Sequence, residues 1–398
     1  MSKTLNRISF DEALERIKSR FNTKRNPVNL NVNEAMDKIL ASDIICESDV
    51  PPLPVSMVDG FAFNNIQDEL TVIAKVGPGS AFTGKIEEGQ SIEVLTGAYL
   101  PPDIKFVVPK EHIIKNGNKI RLTMVPENKN NNIMPAGFDC KSNEIIAKKG
   151  EKFEAGLAFF LNYIKVNTVS VKPQAKVGIF SIGNELTNNI VDKQKVHNSN
   201  PIFLSYILKK MGLVAHDLGI LRDDENEIFE QIKGQIDNFD LLITSGGSSI
   251  SEKDLVNEAL TLNGAEQVFH GLKLKPGRTG GLYVLNEKPI IVTSGNIQAS
   301  IIETVLIGSA VAQAIGFSVN MNTIRAVIDR DVYFDTPSDF YNVVWLKVYE
   351  LKNEIIASPV FSYSTSRSVP FKANAFSIIK SGHIKKNTVI EANMIGDL

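Results

Sequence analysis

From residue 176 to residue 251 short apolar runs alternate with amphipathic stretches, and this alternation restricts the possible folds more than any other feature. The run 177–180 turns sharply through Ser181-Ile182-Gly183-Asn184-Glu185-Leu186. Asn200 then caps a helix with Pro201 in its first turn and Phe203, Ile207 and Leu208 facing inward, and Gly212 ends it. A strand over 213–220 leads through Arg222-Asp223-Asp224 into a helix carrying Ile228, Phe229, Ile232 and Ile236. A further apolar run, 240–244, enters Ser245-Gly246-Gly247-Ser248-Ser249, and helical periodicity resumes from Ser251. Strands that alternate with helices predict a parallel sheet covered on both faces, with ligands bound at the carboxyl ends of the strands. Glu185, Asp223, the 245–249 turn and Asp254 all fall at that edge.

Strand, glycine-rich turn and helix, in that order, leave free backbone N–H groups and a positive helix end facing the turn. This predicts a phosphate cradle at Ser245, Gly246, Gly247 and Ser248. Carboxylates beside a phosphate repel it unless a cation stands between them, so Glu185 and Asp254 are candidate ligands of Mg²⁺ or another hard ion. Each signal also has an ordinary structural counterpart: Gly-Gly after a strand is common punctuation, and acids at helix starts complement the dipole. The segment Lys273-Leu-Lys275-Pro-Gly-Arg278-Thr-Gly-Gly281 adds cations that either balance a phosphorylated ligand or decorate a solvated turn. A hairpin pattern over 283–292 ends in Ser294-Gly295-Asn296, and the apolar helix after it, 297–315, holds a single charge, Glu303. Such a helix suits buried core or a subunit contact rather than a membrane span.

A chain of 398 residues exceeds one ordinary core and implies about two to four domains. Its 43% apolar and 22% charged residues are those of a soluble globular protein. A net charge of −2, without a Lys/Arg block interleaved with aromatics, disfavours a nucleic-acid partner. The two cysteines, Cys46 and Cys140, form no Cys-x-x-Cys pair and have no histidine spaced to complete a zinc site, which fits a reducing compartment. Met1-Ser-Lys-Thr-Leu lacks an apolar signal core and no long uninterrupted apolar run occurs, so a cytoplasmic protein without a membrane partner is expected.

Toward the N-terminus, Ser9 and Glu12 form a capping box for a helix with Phe10, Leu14 and Ile17 on one face. A second short helix is expected over 33–40, with Met36, Ile39 and Leu40 inward. The segment 49–63 contains Pro51, Pro52 and Pro54 and cannot be helical. It either presents Ser56 and Asp59 rigidly to a cleft or links two domains. Short β runs divided by Gly and Pro over 70–118 predict a small inserted β domain, and 128–132 reads as an exposed loop tip. Ile133-Met-Pro-Ala-Gly-Phe-Asp139 places another acid after a turn. A helical stretch over 155–163 is expected to return and pack on the first two helices. The resulting division is a discontinuous first domain (1–50 with 140–173), a β domain (51–139), an α/β domain (174–320) and a compact C-terminal β domain (321–398).

With these residues laid out, the chain resembles the MoeA family of molybdopterin molybdenumtransferases, which also includes the C-terminal part of gephyrin. Pro51-Pro52 with Ser56-Met-Val-Asp59-Gly60-Phe61-Ala62 is similar to the family's Pro-Pro-Phe-Asp-Asn-Ser-Ala-Met-Asp-Gly-Tyr-Ala loop. Leu95-Thr96-Gly97-Ala98 resembles its Thr-Gly-Ala element, and Asn132-Ile133 through Gly137-Phe138-Asp139 resembles Asn-Ile-Arg-x-x-Gly-Glu-Asp. Ser181 through Leu186 resembles Ser-Thr-Gly-Asp-Glu-Leu, and Ser245-Gly246-Gly247 with Asp254 resembles the phosphate loop and its downstream Asp. Lys275-Pro276-Gly277-Arg278 and Gly295-Asn296 complete an ordered set that runs nearly end to end. The chain departs from the pattern at Val55, Val58, Met134, Phe138 and Asn184. Asn198 stands for the Asp of Asp-Ser-Asn, Thr279 for a Pro, and Thr293-Ser-Gly-Asn-Ile297 for Leu-Pro-Gly-Asn-Pro. Phe340-Tyr-Asn-Val-Val344 stands where the family has an Arg-rich segment.

The resemblance implies a multidomain α/β protein: a discontinuous helical domain, an inserted β domain, a MogA-like α/β domain with a parallel-rich sheet and a C-terminal β barrel, usually as a homodimer. It implies Mg²⁺-dependent insertion of molybdate into adenylylated molybdopterin with release of AMP, and a MogA-like adenylyltransferase as a possible partner. Carried over residue by residue, Asp59, Asp139, Glu185, Asp223 and Asp254 match acidic active-site positions. Ser56, Thr96, Ser245, Gly246, Gly247, Ser248, Lys275, Arg278, Gly295 and Asn296 match substrate-binding ones. Two other functions suit the same resemblance: a catalytically weak paralogue that carries or scaffolds molybdopterin, and a variant that takes tungstate.

Overall fold

A computed structural model describes residues 7–125, 132–248, 254–380 and 382–398, and divides the chain into two units, 1–28 with 172–398 and 29–171. The first unit is built on a six-stranded sheet. Lys176–Ile182 pairs in parallel with Val214–Leu221 on one side and Leu241–Gly246 on the other, and Lys288–Thr293 follows in parallel. Gly281–Leu285 and Glu266–His270 extend that edge antiparallel. The order of strands along the chain reverses at Lys176–Ile182, so the crevice between its carboxyl end and that of Leu241–Gly246 is the switch point where doubly wound folds bind ligands.

Both faces of this sheet are covered, as the alternation predicts. Ile228, Phe229, Ile232, Val256 and Leu260 from the helices Glu225–Gln235 and Leu255–Leu262 cover one face. Leu204, Ile207 and Leu208 from Asn200–Lys210 cover the other, with Ile301, Val305 and Val311 from the helix Ile297–Ala314. That long apolar helix is 72% buried, so it is core. Ser199 rather than Asn200 occupies the cap of Asn200–Lys210, and the Asn200 side chain is used elsewhere. Ser249 and Ser251 lie outside the described residues, and the helix is described from Leu255.

The N-terminal helix, Phe10–Arg20, is capped by Ser9, whose Oγ accepts from Glu12 N–H at 3.1 Å. It belongs to this same unit, which corrects the expectation that it packs against the 155–163 helix. Phe10, Ala13 and Ile17 enter the core that contains Ile179 and Leu204. Arg16 donates to Val268 O, and Arg20 is ion-paired with Glu266 and Glu287. The C-terminal strands Thr323–Ile328, Tyr341–Leu351, Glu354–Pro359, Ala375–Ile379 and Val389–Met394 close into a five-stranded barrel, because Tyr341–Leu351 pairs with both Glu354–Pro359 and Ala375–Ile379. Leu274–Lys275 adds alongside Tyr341 and Asn342.

In the second unit a six-stranded sheet runs in the order Phe106–Pro109, Gly60–Phe63, Gln90–Val94, Leu70–Val76, Lys119–Leu122, Ile113–Asn116. Separate apolar clusters cover its two faces, one around Ile92 and Leu100 and one around Phe63 and Ile120. The Pro-rich loop is part of this fold and not a linker, since Val55–Ser56 pairs with Ile133–Met134. Helices are few here. The helix expected over 33–40 is only the 3₁₀ turn Val32–Glu34: Asp37 takes φ +65°, and Ile39 and Leu40 instead bridge to Lys152 and Val171. Met36 is consequently exposed. Ala155–Tyr163 packs on that turn through Leu161, beside Val32, Ala35 and Leu40. Residues 128–131 of the expected loop tip lie outside the described residues.

Candidate functional site

At the switch point lies a cavity of about 440 Å³. Ser181, Ile182 and Glu185 line it from the first strand and its turn, Asn198 and Ser199 from just before the next helix, Asn200 and Phe203 from its first turn, and Ser245 from the third strand. Gly295, Asn296 and Ile297 line it from the start of the long helix, and Thr365, Arg367 and Pro370 from the segment that precedes the strand Ala375–Ile379. Two polar atoms in this wall are buried without a partner among the described residues, Ser181 Oγ and Asn198 Nδ2. Orphaned buried polar groups are costly, and both belong to residues that line a cavity a polar ligand can fill.

Of the predicted cradle Ser245 lines the cavity while Gly246, Gly247 and Ser248 do not, and in the turn after Ser245 glycine is required by close approach. A Cβ on Gly246, at φ +100°, would lie 2.3 Å from Ile182 O, and one on Gly247, at φ +71°, 2.6 Å from Val256 Cγ2. The turn thus brings its backbone against the neighbouring strand, as a phosphate cradle does. Ser245 is buried, and its Oγ accepts from Asn200 Nδ2 at 2.9 Å, while the same amide donates to Gly295 O at 3.0 Å. Ser248 Oγ donates to Thr279 O at 3.1 Å.

The acids predicted for this edge occupy different surroundings. Glu185 lines the cavity. Asp223 is tied to the same turn, its Oδ2 accepting from Asn184 N–H at 2.9 Å while Asn184 Oδ1 accepts from Asp223 N–H at 3.3 Å. Asp254 lies 2.6 Å from His270 Nε2 through Oδ2, and His270 Nδ1 is 2.9 Å from Tyr283 Oη. Tyr283 donates in turn to Asn257 Oδ1 at 2.6 Å, and burial followed by the Asp254 charge pushes its hydroxyl far above the ordinary range. Asp254 Oδ1 is buried and has no partner among the described residues. No group of three or more His, Cys, Asp or Glu side chains able to hold a metal occurs among the described residues. A site of one or two carboxylates completed by ligand phosphates is the form Mg²⁺ favours; Glu185 offers one such carboxylate from the cavity wall, whereas Asp254 does not line the cavity.

Of the predicted cations, Lys275 is exposed beside Asn342, and Arg278 lies over the Phe340 ring at 5.4 Å. Neither lines the cavity. Gly295 and Asn296 do, but the Asn296 side chain is already engaged: Oδ1 accepts from Gln298 N–H and Nδ2 donates to Ser364 O.

The second unit holds the other predicted residues. Asp59 Oδ1 accepts from Thr96 N–H at 2.9 Å and Thr96 Oγ1 at 3.0 Å, and Lys110 Nζ lies 3.4 Å from its Oδ2. These donors, the Thr96 N–H first, hold the Asp59 carboxyl below the usual range. Asp59 lines a hollow of about 330 Å³ with Phe61, Lys75, Glu93, Lys110 and Lys115. Ser56 is turned inward, its Oγ donating to Val58 O at 2.7 Å. Asp139 is exposed on its turn, held by its N–H to Val50 O. Sequence reasoning missed Arg367, Asn200 and Asn198 as cavity residues; only the polar 362–368 segment between two strands hinted at a loop with a task.

A family profile described as MoeA N-terminal region (domain I and II) matches residues 8–161, and one described as Probable molybdopterin binding domain matches residues 178–310. A Staphylococcus aureus (strain COL) protein named molybdopterin molybdenumtransferase is 26% identical over 305 residues, covering 74% of this chain and 72% of its own. A Staphylococcus epidermidis (strain ATCC 12228 / FDA PCI 1200) protein of the same name is 27% identical over 303 residues, covering 73% and 72%. A solved molybdopterin biosynthesis MoeA protein from Pyrococcus horikoshii superposes with a TM-score of 0.77 at 21% identity, over 99% of this chain and 100% of that one. Another, from strain OT3, gives 0.68 at 25% identity over 98% and 100%. The Pyrococcus structures show a shared fold, and with both profiles matched in the family's order and relatives named molybdopterin molybdenumtransferase aligned over about three quarters of the chain, the chain belongs to the MoeA family.

Proposed function

We propose that this protein acts in molybdenum cofactor synthesis as a molybdopterin molybdenumtransferase, inserting molybdate into adenylylated molybdopterin with Mg²⁺-dependent release of AMP. One observation carries the reading: the switch-point cavity is lined by the carboxylate of Glu185 and by Ser181 and Asn198, whose buried Oγ and Nδ2 lack partners among the described residues. That set suits a polar, phosphorylated ligand. Names shared by the relatives supply the substrate class.

In this reading the turn at Gly246 and Gly247 receives phosphate on its backbone N–H groups, while Ser245 is held by Asn200 as part of the floor. Glu185 and Asp254 would hold Mg²⁺, which when bound neutralises phosphate charge. Asp223 positions the Glu185 turn through Asn184. Asp59, Thr96 and Asp139 are assigned roles by the family resemblance, as are Lys275 and Arg278 toward oxyanion or phosphate. Bond cleavage then rests on positioning and charge neutralisation.

The test supplies the full chain with adenylylated molybdopterin, Mg²⁺ and either molybdate or tungstate, and follows AMP. AMP release that needs Mg²⁺ and is abolished by Glu185→Gln or Asp59→Asn is the expected result. Tight binding of the adenylate without AMP would instead identify a carrier or scaffold, and release with tungstate alone a tungsten enzyme.

A further inference from the structure

The cavity contains a recognition element outside the family pattern. Asn198 stands where the resemblance has an aspartate, and its Nδ2 is buried in the cavity wall without a partner among the described residues. An amide N–H at this point donates, whereas a carboxylate would accept and repel an anion. Ser181 Oγ is a second orphaned group that can donate. Among the lining residues Arg367 is the permanent cation, and its guanidinium has no ion pair or hydrogen bond among the described residues.

Arg367 is brought there by a clamp. Gln298 is 4% exposed, and its Nε2 donates to Tyr363 O at 2.8 Å, Ser366 O at 2.9 Å and Ser364 O at 3.2 Å. Its Oε1 accepts from Trp345 Nε1 at 3.0 Å and Ser362 Oγ at 3.3 Å. Asn296 Nδ2 adds a bond to Ser364 O at 2.6 Å. A buried amide with both ends satisfied fixes the loop just before Arg367 onto the start of the helix that lines the same cavity.

We propose that Arg367, Asn198 and Ser181 form an anion subsite for a tetrahedral oxyanion, either a phosphoryl group of the ligand or the free metal oxyanion, and that Gln298 is the positioning residue that delivers Arg367. The subsite rests on the reading that this cavity receives a phosphorylated ligand. The substitution of Asn for Asp turns one wall from anion-repelling to anion-accepting, and the clamp supplies the compensating cation from a loop distant in sequence.

Calorimetric titration of the full chain with inorganic pyrophosphate, and separately with molybdate, tests it. Arg367→Ala and Asn198→Asp should each weaken binding of at least one probe about tenfold or more, and the probe affected identifies which oxyanion the subsite takes. Gln298→Met, which keeps size and removes the amide, should weaken the same probe several-fold in the wild-type background and add nothing once Arg367 is Ala. A merely structural Gln298 would cost the same in both backgrounds, and that outcome overturns its positioning role. Unchanged affinity for both probes in Arg367→Ala and Asn198→Asp, or no binding of either by the wild type, overturns the subsite. Failed AMP release with Arg367-dependent binding intact would strike down the transferase reading alone.

Discussion

Glu303 is the side chain whose behaviour is most at odds with its type. It is fully buried in the helix Ile297–Ala314, with Oε2 accepting from Ser294 N–H at 2.7 Å and Oε1 from Ser294 Oγ at 3.1 Å. Thr279 Oγ1 lies 2.7 Å from Ser294 Oγ, so two residues that stand where the family resemblance has proline are joined, and one of them, Ser294, holds this carboxyl. Burial, opposed by the Ser294 and Gly280 donors, lifts Glu303 from 4.5 to about 8. Between those values the folded chain keeps a proton that the unfolded chain has released. The stability tied to this group is therefore full below about pH 4.5 and is lost as the pH rises through about 8. The loss is on the order of a few kcal/mol, and Glu303→Gln should flatten the decline in urea-unfolding stability between about pH 5 and about pH 9. An equal decline in the variant would place its cause elsewhere. At the same scale, Tyr283→Phe leaves His270 Nδ1 and Asn257 Oδ1 without their hydroxyl partner and should cost about 1–3 kcal/mol in the same measurement.

Among the elements, the turn after Leu241–Gly246 is the least tolerant of change. Gly246→Ala has to place a Cβ 2.3 Å from Ile182 O at φ +100°, so either the turn or the neighbouring strand must shift. A loss of at least about 2 kcal/mol is expected, read as a lower urea midpoint, together with weaker pyrophosphate binding. Wild-type stability and affinity would show that the cradle does not need this close approach. Much of this element was legible beforehand: the apolar run, the paired glycines and the helical periodicity each have a local cause. The Asn200 role was not. The side chain expected to cap its own helix instead bridges Ser245 and Gly295, residues 45 and 95 positions away, and no local pattern reports such a contact.

For the whole molecule, the family resemblance implies a homodimer, and light scattering on the eluted protein should give about twice the chain mass of 43.8 kDa. A monomer that still released AMP would separate catalysis from assembly. The order of motifs along the chain carried the architecture well, because each marks a strand end or turn whose geometry is set within a few residues. By itself the sequence determined the alternating strands and helices, the covered parallel sheet, the β-rich flanks and the sheet edge at which the cavity opens. Periodicity states which face of an element is apolar but not which surface covers it. Hence only the tertiary structure decided that Phe10–Arg20 joins the α/β core, and that Glu303 is a buried acid rather than a lone exposed charge. It alone placed Arg367 in a cavity with Ser181, because packing between side chains some 186 positions apart leaves no periodic trace in the chain.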